Sequence, residues 1–322
     1  CIVKIRVKTP SRLHFGIVDM RGDLGRMHVS VGVAIKKPNI ILEVKKSDQL
    51  KVFGSRAERI KEYAEKIMRY AGIQEGLEFN LISDIPEHAG FGSGTQLALA
   101  VGTSISKTFN LNLNPDEIAF LLNRSRRSGV GVHAFKSGGF IIDCGHRINN
   151  PNHVPPLLFR SDVPEDWLFI VGLPRIKTGL SGMNEMEAFE KLEPPSKALV
   201  GEVSRTVLVQ MIPAIIDKDI KLFGEAMTKL DNSFGSYWEK IQGGRYTHPI
   251  IEEGVNFLLE RGVYGAGQSS WGPAFYGLVK GEDQAFKLEK ELHDYLNHGE
   301  RRGTVFYTGA DNHGALITTI QN

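Results

Sequence analysis

The stretch Ile85–Ala100, "IPEHAGFGSGTQLALA", decides how this chain is read. Gly90, Gly92 and Gly94 alternate with Phe91 and Ser93, Thr95 and Gln96 follow, and an apolar run rich in alanine and leucine begins at once. Small residues let backbone N–H groups converge, and a helix start adds partial positive charge at the same point. A loop of that kind suits a phosphate. It also suits a tight turn ahead of a buried helix, and a short glycine motif alone does not choose between the two.

The flanking sequence supplies a mixed α+β frame. Val3, Ile5 and Val7 share one strand face, and so do Val29, Val31, Val33 and Ile35; "IILEV" and "LEFNLIS" continue the alternation. Apolar residues at helical spacing predict a helix over Arg56–Ala71, ended by Gly72. A second helix follows the glycine loop. A third opens at "NPDEIAFLLN", where Asn114 can cap and Pro115 suits the first turn. A basic turn, "NRSRRSGVGVH", and a strand, "GGFIIDCG", come next.

From Asn149 the chain reads as an irregular connection, and "WLFIVGLP" is expected to rejoin the first sheet. "PRIKTGLSG" is a candidate mobile loop. After about Asn184 helices dominate, as in "VSRTVLVQMIPAII" and "IIEEGVNFLLERG", with strand segments in "AFYGLVKG" and "GTVFYTGADNHGALITTI". The expected division is a mixed domain over residues 1–184 and a helix-richer domain with its own strands over 185–322.

Composition narrows the function classes. The 322 residues carry 39 lysines and arginines against 37 acids, a net charge of +2, which argues against a general nucleic-acid binder. Cys1 and Cys144 are too few for a disulfide framework or a zinc ribbon. No uninterrupted apolar span approaches the roughly 20 residues a membrane helix needs. The opening "CIVKIRVKTP" reads as a strand and not as a signal peptide, so a cytoplasmic protein without a membrane partner is expected.

Polar groups gather among glycines in "TPSRLHFGIVD", "PEHAGFGSGTQ", "RSRRSGVGVHAFKSGG" and "GAGQSSWGPA". Their order and spacing resemble the GHMP superfamily, named for galactokinase, homoserine kinase, mevalonate kinase and phosphomevalonate kinase. Pro10-Ser11-Arg12 matches its first motif, Pro86–Thr95 its phosphate loop, and Gly265–Gly272 its third. The resemblance implies an N-terminal α+β domain, a ferredoxin-like C-terminal domain and a site between them. Two departures stand out. Ser93-Gly94-Thr95 replaces the usual serine pair, and Gly131 stands where several of the kinases carry a catalytic aspartate. Glycine can neither accept nor orient a hydroxyl proton.

A narrower resemblance covers most of the chain and is close in the first 145 residues: the archaeal β-ribofuranosylaminobenzene 5′-phosphate synthase family. It implies condensation of phosphoribosyl pyrophosphate with 4-aminobenzoate or 4-hydroxybenzoate, loss of CO2 and pyrophosphate, and a place in methanopterin biosynthesis. It also implies Mg2+ on the pyrophosphate, with Asp19 or Asp143 as candidate ligands, although Asp19, Asp23 and Asp143 lack the spacing of a dedicated metal site. An ATP-dependent small-molecule kinase is the alternative. A homodimer is compatible with either.

The candidate catalytic residues are Arg12, His14, Arg26 and Lys136. The candidate substrate-binding residues are Ser11, Gly90, Gly92, Ser93, Gly94, Thr95, Gln96, Arg126, Gly267 and Ser269. Each has a plainer reading. His14 can be a hydrogen-bonded core histidine, and Arg124, Arg126 and Arg127 a solvated helix end. Lys136 can sit on a surface turn, Trp271 can pack or stack on an aromatic acceptor, and Asp311-Asn312-His313 can be an ordinary polar turn.

Overall fold

Three antiparallel-rich sheets and nine α-helices make up the computed structural model, which describes residues 3–176, 192–242 and 244–321. The candidate mobile loop runs beyond Ile176 and, with the boundary at residue 184, lies outside the described residues; so does Cys1.

Strands β1 (Val3–Lys8), β4 (Ile41–Ser47), β5 (Lys51–Phe53) and β6 (Gly76–Ser83) form the first sheet with β14 (Leu316–Gln321), in the order β14-β1-β4-β6-β5. The second sheet runs β2 (Ser11–Asp19), β3 (Arg26–Ile35), β7 (Phe140–Asp143), β9 (Leu157–Ser161), with β8 (His146–Arg147) pairing β3. The third runs β11 (Gly265–Gln268), β12 (Phe275–Lys280), β10 (Trp167–Pro174), β13 (Gly303–Gly309).

The strand expected to rejoin the first sheet, β10, instead centres the third, between β12 and β13. Its run Trp167–Gly172 is apolar on both faces, which suits an interior strand between layers. Residues 149–166 are not wholly irregular either, because β9 pairs with β7.

Helix α1 (Ala57–Ala71) buries Ile60, Tyr63, Ala64 and Ile67 and ends at Gly72 in the left-handed region. Helix α2 (Ser93–Thr108) starts at the glycine loop and is buried along most of its length. Helix α3 (Pro115–Leu121) carries the expected Asn114 cap, closed into a capping box by Glu117. The segment read as a basic turn is a turn only to Gly129. It then becomes helix α4 (Val130–Ser137), where burial of Val130 to Phe135 overrides the low helix propensity of Gly131.

The second half holds α5 (Lys197–Arg205), a π-helical turn (Thr206–Met211), α6 (Ile212–Asp217), α7 (Ile220–Gln242), α8 (Pro249–Glu260) and α9 (Glu282–Leu296). Among the described residues, Lys197–Asp217 is the helical run long and apolar enough to cross a membrane by length and composition; it borders β2 and α7. With α8 and α9 packed on it, the β11-β12-β10-β13 sheet forms the ferredoxin-like unit that the motifs imply; it takes in β10, which precedes residue 184, and leaves out β14, which joins the first sheet.

A shared aromatic core joins the halves. Phe15 of β2 packs on Tyr276 of β12 (ring centroids 5.2 Å), Phe169 of β10 (6.3 Å) and Phe223 of α7 (6.4 Å). On β2 the alternation of side chains separates Leu13 and Phe15, which enter this core, from Arg12 and His14, which face a cleft.

Candidate active site

Three loops meet at that cleft. The first lies between β6 and α2. Gly90 (φ +98°) and Gly92 (φ +73°) take left-handed conformations, and Gly92 precedes α2 without any side chain capping its N–H groups. The second is the third motif. Ser269 Oγ donates to the Gly90 carbonyl (2.6 Å) and accepts from the His14 N–H (3.0 Å), while Ser270 N–H donates to the His14 carbonyl (3.2 Å). A Cβ on Gly90 would fall 2.4 Å from the Ser269 carbonyl oxygen, so the two loops touch through backbone. The third is the turn Asn123–Ser128. Asp143 holds its far end by accepting from Gly129 N–H (2.7 Å), and the same carboxylate takes Ser30 and Gly145 N–H.

The cleft measures about 350 Å³ and is lined by Arg12, His14, Thr95, Phe234, Trp271 and the residues of the Asn123–Ser128 turn, among others. Arg12 Nη1 donates to the Gly90 carbonyl (2.5 Å). Arg124 lies over the first turn of α2: a Cβ on Gly94 would stand 2.7 Å from its Nη2. Burial, and then repulsion from Arg124, pull the Arg12 guanidinium down to about 10. Two crowded guanidiniums without a carboxylate among the described lining residues define an anion site, because an anion relieves both the repulsion and the desolvation. The aromatic wall is Trp271, packed against Phe234 (5.8 Å) and edge-on to Trp238 (4.7 Å), with the Arg127 guanidinium 5.7 Å from its ring.

The structure thus brings together Arg12, His14, Thr95, Arg126 and the Gly90–Gly94 backbone, with Ser269 as the cross-link. Ser93 is buried in the first turn of α2. Gln96 is buried behind the loop, where Nε2 donates to the Gly131 carbonyl (2.8 Å). Gly131 itself leaves little room for the kinases' aspartate: a Cβ there would stand 3.2 Å from Thr95 Cγ2.

Other candidates lie elsewhere. Ser11 points to the buried side of β2. Lys136 pairs with Asp116 of α3 (3.0 Å) at the far end of α4. Arg26 donates to the Cys144 and Gly145 carbonyls (3.3 and 3.2 Å) and does not line the cleft. Gly267 is packed against Asp231 and the Tyr276 hydroxyl, a cluster in which Asp231 also receives Tyr246 OH (2.7 Å) and Gln268 N–H (2.8 Å). Asp311 forms a turn with His313 and Gly314 N–H.

Phe234 was not legible as a site residue, since one aromatic on a long amphipathic helix carries no distinguishing signal.

Magnesium finds little from the protein here. Asp143 is committed to three backbone N–H groups, and Asp19 Oδ1 accepts from Arg21 and Gly22 N–H. No cluster of three or more metal-ligating side chains occurs among the described residues.

Sheet order, glycine loop and paired domains define a GHMP-type fold, and comparison with known proteins agrees. The GHMP kinases N terminal domain matches residues 58–139 and the GHMP kinases C terminal domain residues 211–298. Homoserine kinase from Cytophaga hutchinsonii superposes with a TM-score of 0.70 at 15% identity, over 98% of this chain and 97% of that one. Methanococcus jannaschii mevalonate kinase gives 0.66 at 16% identity, over 95% and 98%. The sequence relatives are more particular. β-Ribofuranosylphenol 5′-phosphate synthase of Methanocaldococcus jannaschii is 33% identical over 97% of this chain and 99% of its own length. The enzyme of that name from Methanothermobacter thermautotrophicus is 30% identical over 98% and 99%. The chain belongs to the family of these synthases, within the GHMP kinase superfamily.

Proposed function

We propose that this chain joins phosphoribosyl pyrophosphate to 4-hydroxybenzoate and forms β-ribofuranosylphenol 5′-phosphate, CO2 and pyrophosphate, as a step of methanopterin biosynthesis. The observation that carries the reading is the pair Arg12 and Arg124 over the α2 N-terminus, beside an aromatic wall and with glycine at position 131. The full-length relatives' name, a ribofuranosylphenol synthase, favours the hydroxy over the amino acceptor.

The chemistry suits a site rich in cations and poor in bases. The C1–O bond to pyrophosphate breaks and its electron pair leaves with pyrophosphate. The ring carbon bearing the carboxylate bonds to C1. The bond to the carboxylate then breaks, CO2 departs, and its electron pair restores the ring. No proton is lost overall, so no general base is required. The protein's task is to hold and stabilise the leaving anion with prearranged donors and to keep the two reactants aligned. Arg12, Arg124 and the first N–H groups of α2 answer the first need, Trp271 and Phe234 the second. Mg2+ would come with the pyrophosphate oxygens and not from a protein-built site.

The test is direct. Purified protein with magnesium, phosphoribosyl pyrophosphate and 4-hydroxybenzoate is expected to release CO2 and pyrophosphate in equal amounts. Folded protein that releases neither, with this acceptor or with 4-aminobenzoate, overturns the proposal; ADP formation from ATP with a small alcohol would replace it with a kinase.

A further inference from the structure

Behind the arginines the cleft has an uncharged floor. His14 is buried, with 4% of its surface exposed, and its Nδ1 is enclosed without a hydrogen-bond partner. His28 follows, also with an enclosed and unpartnered Nδ1, and its ring stands edge-on to His146 at 6.0 Å. Enclosed polar atoms normally find partners, so the imidazole of His14, left this way on the wall of a ligand cleft, marks a place where a ligand supplies the bond, while His28 lies behind it outside the cleft lining. The charge state fits an uncharged partner. Burial, and then the charge of Arg12, take His14 down to about 3, and burial and His146 take His28 down to about 4, so both rings are neutral over the ordinary pH range.

The geometry points to His14, backed by His28, as the seat of the acceptor's para-hydroxyl group. This rests on the synthase reading above. Phe234, Trp271 and Ile17 line the same cleft as His14 and suit the faces of a planar ring better than a polyhydroxyl sugar. His14 is also fixed relative to that wall, because both its N–H and its carbonyl are bonded to Ser269 and Ser270, the two residues before Trp271. Ring and hydroxyl sites are therefore one rigid unit.

The placement has a catalytic consequence. When the ring carbon attacks C1, positive charge spreads through the ring to the para oxygen, and its hydroxyl becomes a stronger donor. A neutral imidazole nitrogen accepting that bond holds the transition state more tightly than the ground state. No net transfer is needed: the proton stays with the phenol as the charge is discharged by loss of CO2. An imidazolium in the same place would oppose the charge.

The experiment uses the full chain in three forms: unaltered, His14→Phe and His14→Asn. Acceptor binding is measured by calorimetry with 4-hydroxybenzoate and with benzoate, which lacks the hydroxyl, and turnover is followed by CO2 release. The unaltered protein is expected to prefer 4-hydroxybenzoate. In His14→Phe that preference should vanish and kcat should fall by roughly tenfold or more, with the donor's Kd unchanged. His14→Asn, which keeps an acceptor near Nδ1, should restore part of both. An active unaltered protein whose His14→Phe form keeps the preference and kcat overturns this inference alone. Loss confined to donor binding overturns it too and moves the seat to the ribose hydroxyls. Failure of the synthase reading shows separately, as absent CO2 release in the unaltered protein. Should His14→Phe not fold, His14→Leu, which also lacks a hydrogen-bonding atom, carries the same comparison, and undiminished preference together with undiminished kcat there overturns the inference.

Discussion

Gly92→Ala tests the phosphate loop most sharply, because it perturbs two things whose sizes can be worked out separately. Gly92 sits at φ +73°, where a residue with a Cβ costs about 1–2 kcal/mol. That part is a stability effect. The new Cβ would also stand 3.1 Å from Arg12 Nε and 3.2 Å from its Cγ, so the Arg12 side chain must shift by a few tenths of an ångström. Arg12 is held by a charge-assisted bond to the Gly90 carbonyl, a class worth about 1.5–3 kcal/mol. Loss of the lower end of that range in aim toward an anion lowers donor affinity by about tenfold. Urea unfolding is expected to show the first effect, and calorimetry with phosphoribosyl pyrophosphate the second. Gly72→Ala is the control. It has the same left-handed backbone at φ +68° with open space around the Cβ, so it should lose similar stability and no donor affinity. Equal donor affinity in Gly92→Ala and unaltered protein would return the loop to a simple turn and refute the reasoning.

Arg12→Lys keeps the charge but not the planar fork, and kcat/KM is expected to fall by roughly tenfold with little change in unfolding free energy; unchanged kinetics would remove Arg12 from the site. Lys136→Met removes an exposed ion pair with Asp116, of the kind worth at most about 1 kcal/mol, and kcat/KM should stay within about twofold; a large loss would put Lys136 back among the catalytic candidates. Burial pushes the Asp231 carboxyl up to about 7, so the folded state binds its proton more tightly than the unfolded state. Its contribution is complete below the ordinary carboxylate pKa of about 3.9 and is lost as pH rises through about 7. The stability of unaltered protein relative to Asp231→Asn should therefore decline between about pH 4 and about pH 8 in urea titrations, and a rise would contradict the burial argument.

Periodicity made much of the first half legible. The spacing of Ile60, Tyr63, Ala64 and Ile67 and the glycine after Ala71 marked α1 from end to end, and Asn114 with Glu117 marked the start of α3. Helix α4 escaped because two glycines and a run of basic residues look like a turn until tertiary burial is known. The sheet that β10 joins escaped because an apolar strand does not name its neighbours. The site divides the same way. Backbone-made parts, the glycine loop and its link to Ser269, could be read from motif order. Arg26 and Lys136 could not be placed, since a basic residue near a motif points to the cleft or away from it according to its strand register and helix turn. The arginine pairing over α2 and the His14–His28 floor come from contacts between segments far apart in sequence.

The pairing of β14 with β1 has a bearing on how the molecule comes together. Val3 lies opposite Gln321, so the outer edge of the first sheet is finished by residues made more than 300 positions after β1. Until then β1 offers a bare row of N–H and C=O groups, a template for pairing with another chain. The nascent first half is consequently a liability to be shielded while the second half is made. Closure of this seam across nearly the whole sequence makes the two halves one folding problem, slow by topology and hard to divide.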